Sequence, residues 1–471
     1  MFFPASGNGN GLSWNNRGTN GNYWSSSLNS ATNGRNLNFN SGGVNPQNNN
    51  NRFNGLTVRP VQYLSAYSMK QKREKTKCNM AYHLTKDHLR LELHSAFVCA
   101  KQHKSKKPYV VKFAKRLDEH LDSLCDDLWN RNYIPEPSTC FIVEHPKKRE
   151  VFAAQFRDRV VHHLYYNMLH QLYERTLIAD CYSCIPGRGT HFGIERLKKH
   201  IRRCSHGYQR PCHVLKLDKR GYFMHIHRQR LADIACDSIK KMSVRRAGGV
   251  ARTWGDVIDI DFVLWLTREI ALLNPKENCR IAGSVHDWDG LDHAKSLFYT
   301  LDGRGLPIGN LTSQLFSNVN LNPFDQFMKR VMHCEHYGRY VDDSYVVDES
   351  KARLNALIPP IEDFLGEELG LELNQGKIQI HDARHGVEFL GAFIKPNVTY
   401  ISNASLNRMI RNINDLDMKD KEAVFHSVNS FLGILSHYAS FNIRCQLFLT
   451  PKFLSVGRFD SAVTKFELYD F

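Results

Sequence analysis

Two short acidic segments carry the residue types best suited to chemistry. Val214-Leu-Lys-Leu-Asp218 is an apolar strand pattern ending in a carboxylate, and Lys219-Arg-Gly-Tyr-Phe223 turns the chain and brings an aromatic five positions later. Gly338-Arg-Tyr-Val-Asp342-Asp343-Ser-Tyr-Val-Val347 sets two further acids at a tight turn between strand-forming runs. A turn of this kind holds carboxylates beside backbone carbonyls rather than letting them separate into solvent. Two such elements, converging, would bind a pair of Mg2+ ions about 3.5–4 Å apart, activating a hydroxyl and stabilising a departing pyrophosphate. The chemistry expected is nucleotidyl transfer, with Asp218, Asp342 and Asp343 as the acids.

Each piece alone has a blander reading, because an aspartate at a strand end is ordinarily a cap and an Asp-Asp pair ordinarily a solvated turn. What changes the balance is their order and the stretch between them, Gly305-Leu-Pro-Ile-Gly-Asn-Leu-Thr-Ser-Gln314. It joins glycines that tolerate unusual backbone angles to hydroxyl and amide groups, just before an apolar helix-like run, and such a segment suits contact with a base pair. Upstream, leucines at 84, 89, 91 and 93 and again at 117, 121, 124 and 128 read as amphipathic helices that pack and carry no site. Between the acidic elements, 243–301 reads as an insertion with a helix around Phe262 to Leu273.

With these motifs in hand the chain resembles reverse transcriptases of bacterial retroelements, over about Tyr133 to Pro396. Tyr133-Ile-Pro-Glu-Pro and Pro146-Lys-Lys-Arg-Glu-Val-Phe resemble the fingers, Phe156-Arg-Asp-Arg-Val-Val-His-His the segment after them, and Ile185-Pro-Gly-Arg-Gly-Thr-His191 the loop before the palm. Asp218 falls in the first palm motif, Gly305 to Gln314 in the second and Tyr340-Val-Asp-Asp343 in the third. Leu373-Asn-Gln-Gly-Lys377 and Val387-Glu-Phe-Leu-Gly391 resemble the last two. The resemblance implies an α+β right-hand polymerase with fingers, palm and helical thumb. The expected boundaries are 69–213 for N-terminal helices and fingers, 214–396 for the palm and 397–471 for the thumb.

Carried onto this chain, the resemblance makes Asp218 and Asp342 ligands of two Mg2+ ions and Asp343 the adjacent acid. Lys377 matches a lysine proposed to protonate leaving pyrophosphate, a role an ammonium can fill as charge partner and acid. Phe223 stands where an aromatic blocks a ribose 2'-hydroxyl. Lys148 and Arg149 lie where fingers residues meet the incoming deoxynucleoside triphosphate, with Ile308 and Gln314 near the nascent pair. Arg157 and Arg159 are expected at the template, where guanidinium–phosphate contacts add sequence-independent affinity.

Within the family, the Ser-Gln of Leu306 to Gln314 is similar to diversity-generating retroelement enzymes, where intron enzymes generally carry Ser-Pro. The 80 residues after Gly391 suffice for a thumb and leave no room for intron-type extensions. The first segment supports the same type. From Met1 to Gln62 there are 17 asparagines and no Asp or Glu occurs before Glu74, so 1–68 is expected to be disordered by itself. Asn20-Gly-Asn-Tyr-Trp-Ser-Ser-Ser27 and Asn51-Arg-Phe-Asn-Gly-Leu-Thr-Val-Arg-Pro60 resemble the end of C-type-lectin or formylglycine-generating-enzyme-like variable proteins. Asparagine codons are adenine-rich, so the segment reads as a translated template repeat, with the working enzyme starting at Met69 or Met80. A genuine N-terminal recognition domain is the competing reading. The resemblance implies an RNA template, a DNA or RNA primer, and a small basic accessory variability protein. A retron-like or phage-defence enzyme, or a non-catalytic RNA-binding scaffold, remains open at this point.

Composition agrees with a polyanionic partner. The 471 residues hold 63 Lys and Arg against 47 Asp and Glu, a net charge of +16, with pI near 9.3 and mean hydropathy of -0.44. No apolar run approaches a membrane span and no signal-peptide pattern opens the chain, so the expected location is the cytoplasm. The 12 cysteines read as reduced thiols. Cys181 and Cys184 form a CxxC, but Cys204 and Cys212 are spaced poorly for the second pair of a zinc site.

Overall fold

The computed structural model describes residues 8–10, 13–15, 21–28, 33–40, 43–51, 54–55, 84–144, 147–241, 243–247, 250–253 and 258–469. The chain divides into two compact units, Met1–Asn79 and Met80–Phe471. In the first, strands Gly21–Leu28, Asn33–Asn40 and Gly43–Asn51 form one antiparallel sheet and Ser13–Asn15, Asn8–Asn10 and Asn54–Gly55 another. Paired strands stand where the sequence reads as disordered; main-chain hydrogen bonding, which needs no apolar side chain, accounts for the pairing. The rest of residues 1–83 lies outside the described residues.

The second unit mixes helices and strands, as the α+β expectation required. Helices Lys86–Ala100, Leu117–Trp129 and Phe156–Thr176 bury Leu89, Leu93, Leu121, Leu124 and Leu128 against Phe97, Phe113 and Phe156. Leu91 is 66% exposed; two residues from Leu89 it points about 200° around the helix, so the leucine pattern counted one residue too many. The hairpin Ser138–Val143 and Arg149–Ala153 gains a third, parallel strand, Cys279–Ile281, from the insertion. Buried Glu150 clasps the segment that follows, accepting from Trp288 Nε1 (2.7 Å), Ser296 Oγ (2.7 Å) and the Leu297 amide (2.6 Å). Part of 243–301 is therefore built into the neighbouring sheet and is not an appendage. Its helix, Ile260–Leu272, lies one residue from the expected C-terminus.

At the centre is a four-stranded antiparallel sheet in the order His336–Tyr340, Asp343–Asp348, His213–Leu217, Gln379–Asp382. The two inner strands carry apolar residues on both faces because both faces are covered. Leu215, Leu217 and Val346 join the main core, with Phe316 and Phe324 of the helix Leu311–Gln326. Val214, Tyr345 and Val347 pack under Ile194, Leu197 and Ile201 of the helix Thr190–Cys204. Beyond the small sheet Val387–Phe389, Ala392–Lys395, Val398–Ile401, helices Asn403–Asn414, Lys421–Leu435 and Phe441–Phe448 close around a cluster of their own that includes Val424, Val428, Leu432 and Phe448. Among the described residues no helix is long and apolar enough to cross a membrane.

Two buried histidines make the fold acid-sensitive. His162 Nδ1 meets Thr312 Oγ1 at 2.8 Å, joining the helices Phe156–Thr176 and Leu311–Gln326, and burial pushes its imidazole down to about 4. Burial also pushes His200 down to about 4, against the pull of Asp180. A folded-state value below the unfolded one means that stability is complete above about pH 6.5 and is lost as pH falls toward 4, on the order of 3 kcal/mol per ring at the limit. Thermal melts between pH 7 and 4.5 should show this slope, and His162→Asn, which keeps a hydrogen-bonding group near the Nδ1 position, should make it shallower. An unchanged slope would assign the acid sensitivity elsewhere.

Candidate active site

The central sheet brings the two acidic elements together. Asp218 follows the last residue of the strand His213–Leu217, and Ser344 pairs with Leu217 in the antiparallel ladder. The next step in that register sets Asp343 opposite Asp218. Tyr340 pairs with Asp343, leaving Val341 and Asp342 as a two-residue turn. Val341 has φ of 52°, a left-handed angle that costs a β-branched residue about 1–3 kcal/mol. Two contacts hold it: the Val341 amide donates to Ser183 Oγ (3.1 Å) and Arg339 Nη1 donates to the Val341 carbonyl (2.8 Å).

Those contacts belong to a buried polar network beneath the turn. Arg339 and Asp325 are both 0% exposed and pair at 2.7 Å through Nη2 and Oδ2, with Nε donating to Oδ1 (2.9 Å) and Tyr337 Oη donating to the same oxygen (2.7 Å). Arg339 Nη1 also donates to Asn318 Oδ1 (3.1 Å), while Asn318 Nδ2 donates to the Ser183 carbonyl (2.8 Å). Asn318 and Asp325 lie seven residues apart on the helix Leu311–Gln326, hence on one face. The sequence reading missed this network. Its signal was an arginine within a strand-forming run and an aspartate within an apolar helical one.

The acids sit in a mixed field. Burial raises the Asp342 carboxyl and the Asp218 charge adds to it, while Lys219 and Lys377 pull the other way. Burial, then the Asp342 and Asp218 charges, push Asp343 up to about 6, although the residue keeps an exposed edge. Lys377 Nζ donates to Asp218 Oδ2 at 2.9 Å, and Asn374 Nδ2 reaches the same oxygen at 3.3 Å; the bond to Asp218 raises the Lys377 ammonium. Lys219 is 1% exposed, donates to the Asp342 carbonyl and to Ser344 Oγ, and is lowered by burial to about 8. The hard carboxylate oxygens fit a divalent cation by chemistry, and their mutual repulsion is what such an ion relieves. Among the described residues no three His, Cys, Asp or Glu side chains already form a metal cage, and Asp218 is turned onto Lys377.

Other expected residues divide into two groups. Phe223 and Ile308 both pack against one cluster of Cys140, Phe152, Met224 and Leu297. Their backbones are tied in by Leu306 N to Phe223 O and Phe152 N to Ile308 O, both 2.8 Å. Gly309, at φ of 127°, lies where an added Cβ would stand 2.9 Å from Val151 Cγ1 and 3.0 Å from the Phe152 carbonyl, so glycine is required there. Gln314 is exposed in the first turn of its helix and accepts from Cys184 Sγ at 3.5 Å. Arg149 is exposed at the start of its strand.

Three cations have partners within the chain. Lys148 donates to the Asp289 carbonyl (2.9 Å) and pairs with Glu144 (3.0 Å). Arg157, expected at the template, binds Asp127 (2.5 Å), the Ile134 carbonyl (3.2 Å) and Asp158 (3.3 Å), over the Tyr133 ring. Arg159 donates to the Ala154 carbonyl (2.7 Å) and lies over Tyr109. Carboxylate, carbonyl and ring partners thus take up both guanidiniums and orient the helix Phe156–Thr176, and a template phosphate would have to share the arginines with them. The four cysteines weighed for zinc are free thiols; Cys181 donates to Asn318, whereas Cys204 and Cys212 sit in another cluster.

Comparison with known proteins adds modest likenesses. No protein-family model matches the chain. Protein YkfC of Escherichia coli K12 is 25% identical over 310 residues, covering 59% of this chain and 71% of that protein. Among solved structures, telomerase from Candida albicans in complex with a TWJ fragment of telomeric RNA is 11% identical with a TM-score of 0.39, over 67% of this chain and 55% of that one. Apo telomerase from Candida tropicalis is 11% identical with a TM-score of 0.43, over 64% of this chain and 52% of that one. The chain thus spans little more than half the length of these two telomerase chains.

Proposed function

We propose that the chain is an RNA-directed DNA polymerase of the diversity-generating retroelement type. The observation that carries the polymerase reading is the placement of Asp218 across the ladder from Asp343, with Asp342 in the adjoining turn and Lys377 on Asp218. Asp218, Asp342 and Asp343 would hold two Mg2+ ions, which supply charge stabilisation and an activated primer hydroxyl. The primer 3'-hydroxyl would lose its proton to solvent water as its oxygen bonds to the α-phosphorus of the incoming deoxynucleotide and the bond from that phosphorus to pyrophosphate breaks. Lys377, whose Nζ donates to Asp218, would give a proton to the leaving pyrophosphate. Arg149, exposed at the start of its strand, would be a cation available to the triphosphate.

The finer type is supported by the Leu306 to Gln314 segment and by the asparagine-rich residues 1–62, whose codons are adenine-rich. In that setting the product is cDNA of a template repeat with misinsertion opposite adenine, made with a small basic accessory protein. The charge of +16 suits a ribonucleoprotein, and one of the similar telomerase structures is itself a complex with RNA. The test is primer extension by the full chain on an RNA template with Mg2+ and its accessory partner, followed by sequencing of the cDNA. Substitutions concentrated at template adenines support the type, evenly spread errors reject it, and no extension of any primer rejects the polymerase.

Phe223 gives a separate expected result. It is half-buried on the cluster shared with Ile308, so Phe223→Ala should open the ribose side of the site. Ribonucleotide incorporation relative to deoxynucleotide should rise by about 10–200-fold, the range for steric discrimination in an apolar pocket. Single-nucleotide incorporation with matched ribo- and deoxynucleotides measures it, and an unchanged ratio would leave Phe223 a packing residue alone.

A further inference from the structure

Lys219 is the buried charge that the mechanism leaves without a task. It stands directly after Asp218 at 1% exposure, where an ammonium is costly unless its protons are taken up. Nζ donates to the Asp342 carbonyl at 2.9 Å and to Ser344 Oγ at 2.7 Å, and lies 5.0 Å from the centroid of the Phe324 ring, a cation–π contact. Both hydrogen-bond acceptors are neutral, and they flank Asp343 on either side. The same residue bridges Leu373 through its backbone, while the Asn374 amide donates to the Asp218 carbonyl at 2.8 Å. One side chain and one peptide therefore link the Asp218 strand end, the Asp342-Asp343 turn and the segment that delivers Lys377.

We propose that Lys219 is a positioning residue that sets the spacing of Asp342 and Asp343 against Asp218, and through it the affinity of the three acids for a divalent cation. This rests on the cation-binding reading above. Geometry and charge make opposite demands here. As a positive charge near the cluster Lys219 repels a cation, so removing charge alone would tighten cation binding. As a strut it holds the peptide joining Asp342 to Asp343, so removing it loosens the acids and weakens binding.

The experiment uses the full chain with Lys219→Met, similar in length without charge or donors, and Ser344→Ala, which removes one acceptor and keeps the charge. Mn2+ binding is titrated by electron paramagnetic resonance without nucleotide or primer, alongside melting temperature and the Mg2+ concentration for half-maximal extension. Lys219→Met should weaken Mn2+ binding by about 10–100-fold, the usual cost of losing a group that orients metal ligands. Ser344→Ala should weaken it less, in the same direction, with a parallel rise in the Mg2+ requirement. Tighter Mn2+ binding in Lys219→Met overturns the proposal in favour of a purely electrostatic role, and a lowered melting temperature with unchanged Mn2+ affinity in both variants overturns it in favour of simple packing. If Lys219→Met does not fold, Ser344→Ala decides. A wild-type chain that binds Mn2+ and shows these shifts but extends no primer supports the positioning role and rejects the polymerase; one that binds no Mn2+ rejects the positioning role.

Discussion

Asp342→Asn is expected to abolish Mg2+-dependent primer extension, lowering the rate by at least about 1,000-fold, or about 4 kcal/mol of transition-state stabilisation. The amide matches the carboxylate in volume and differs in charge. Burial already raises the Asp342 carboxyl, with Asp218 adding to it, so the native fold bears a cost for keeping that group ionised. Removing the charge should therefore leave the melting temperature unchanged or slightly higher, and the loss of activity will not be traceable to unfolding. The measurement is single-turnover extension at saturating Mg2+ with a thermal melt on the same preparation. Activity retained within tenfold of wild type would mean that this turn does not hold the reacting groups.

The second large effect lies under the turn. Asp325→Ala leaves the Arg339 guanidinium buried without its carboxylate and should destabilise the unit by about 3–5 kcal/mol, the usual cost of breaking a buried pair from one side. It also frees the group that holds the strained Val341 carbonyl. The double variant Arg339→Met with Asp325→Leu replaces both charges by apolar groups of similar size and should recover most of the stability, since a buried pair and its apolar substitute are often equivalent. It should not recover primer extension, because nothing then donates to Val341. Urea unfolding of the single and double variants, with extension assays on each, separates the two effects. Equal recovery of stability and activity would show that the network supports folding alone.

The acids were legible in the sequence because their signal is local. A strand pattern ending in Asp218 and a strand–turn–strand pattern around Asp342 and Asp343 state what the nearby backbone will do, and motif order supplied the pairing. The same holds for the helix that begins at Leu311; that Lys377 reaches Asp218, and that Phe223 and Ile308 pack on one cluster, the sequence reading did not contain. Local reading does not reach a residue's internal partners. Arg157 and Arg159 look like free phosphate ligands in a basic segment, yet Asp127, Tyr109 and the Ala154 carbonyl take them up. Leu91 shares a leucine-rich stretch with residues it does not face.

The sequence by itself determined that the three aspartates lie at a strand end and a turn, since an apolar strand pattern and turn chemistry are written over a few residues. Only the tertiary structure decided which charges are spent inside the molecule. Lys219 meets Ser344 across 125 positions, while Arg339 finds Asp325 on a different element. A buried charge is tolerated only where compensating atoms converge on it, and that convergence is a property of how distant segments pack, which no single stretch of sequence contains.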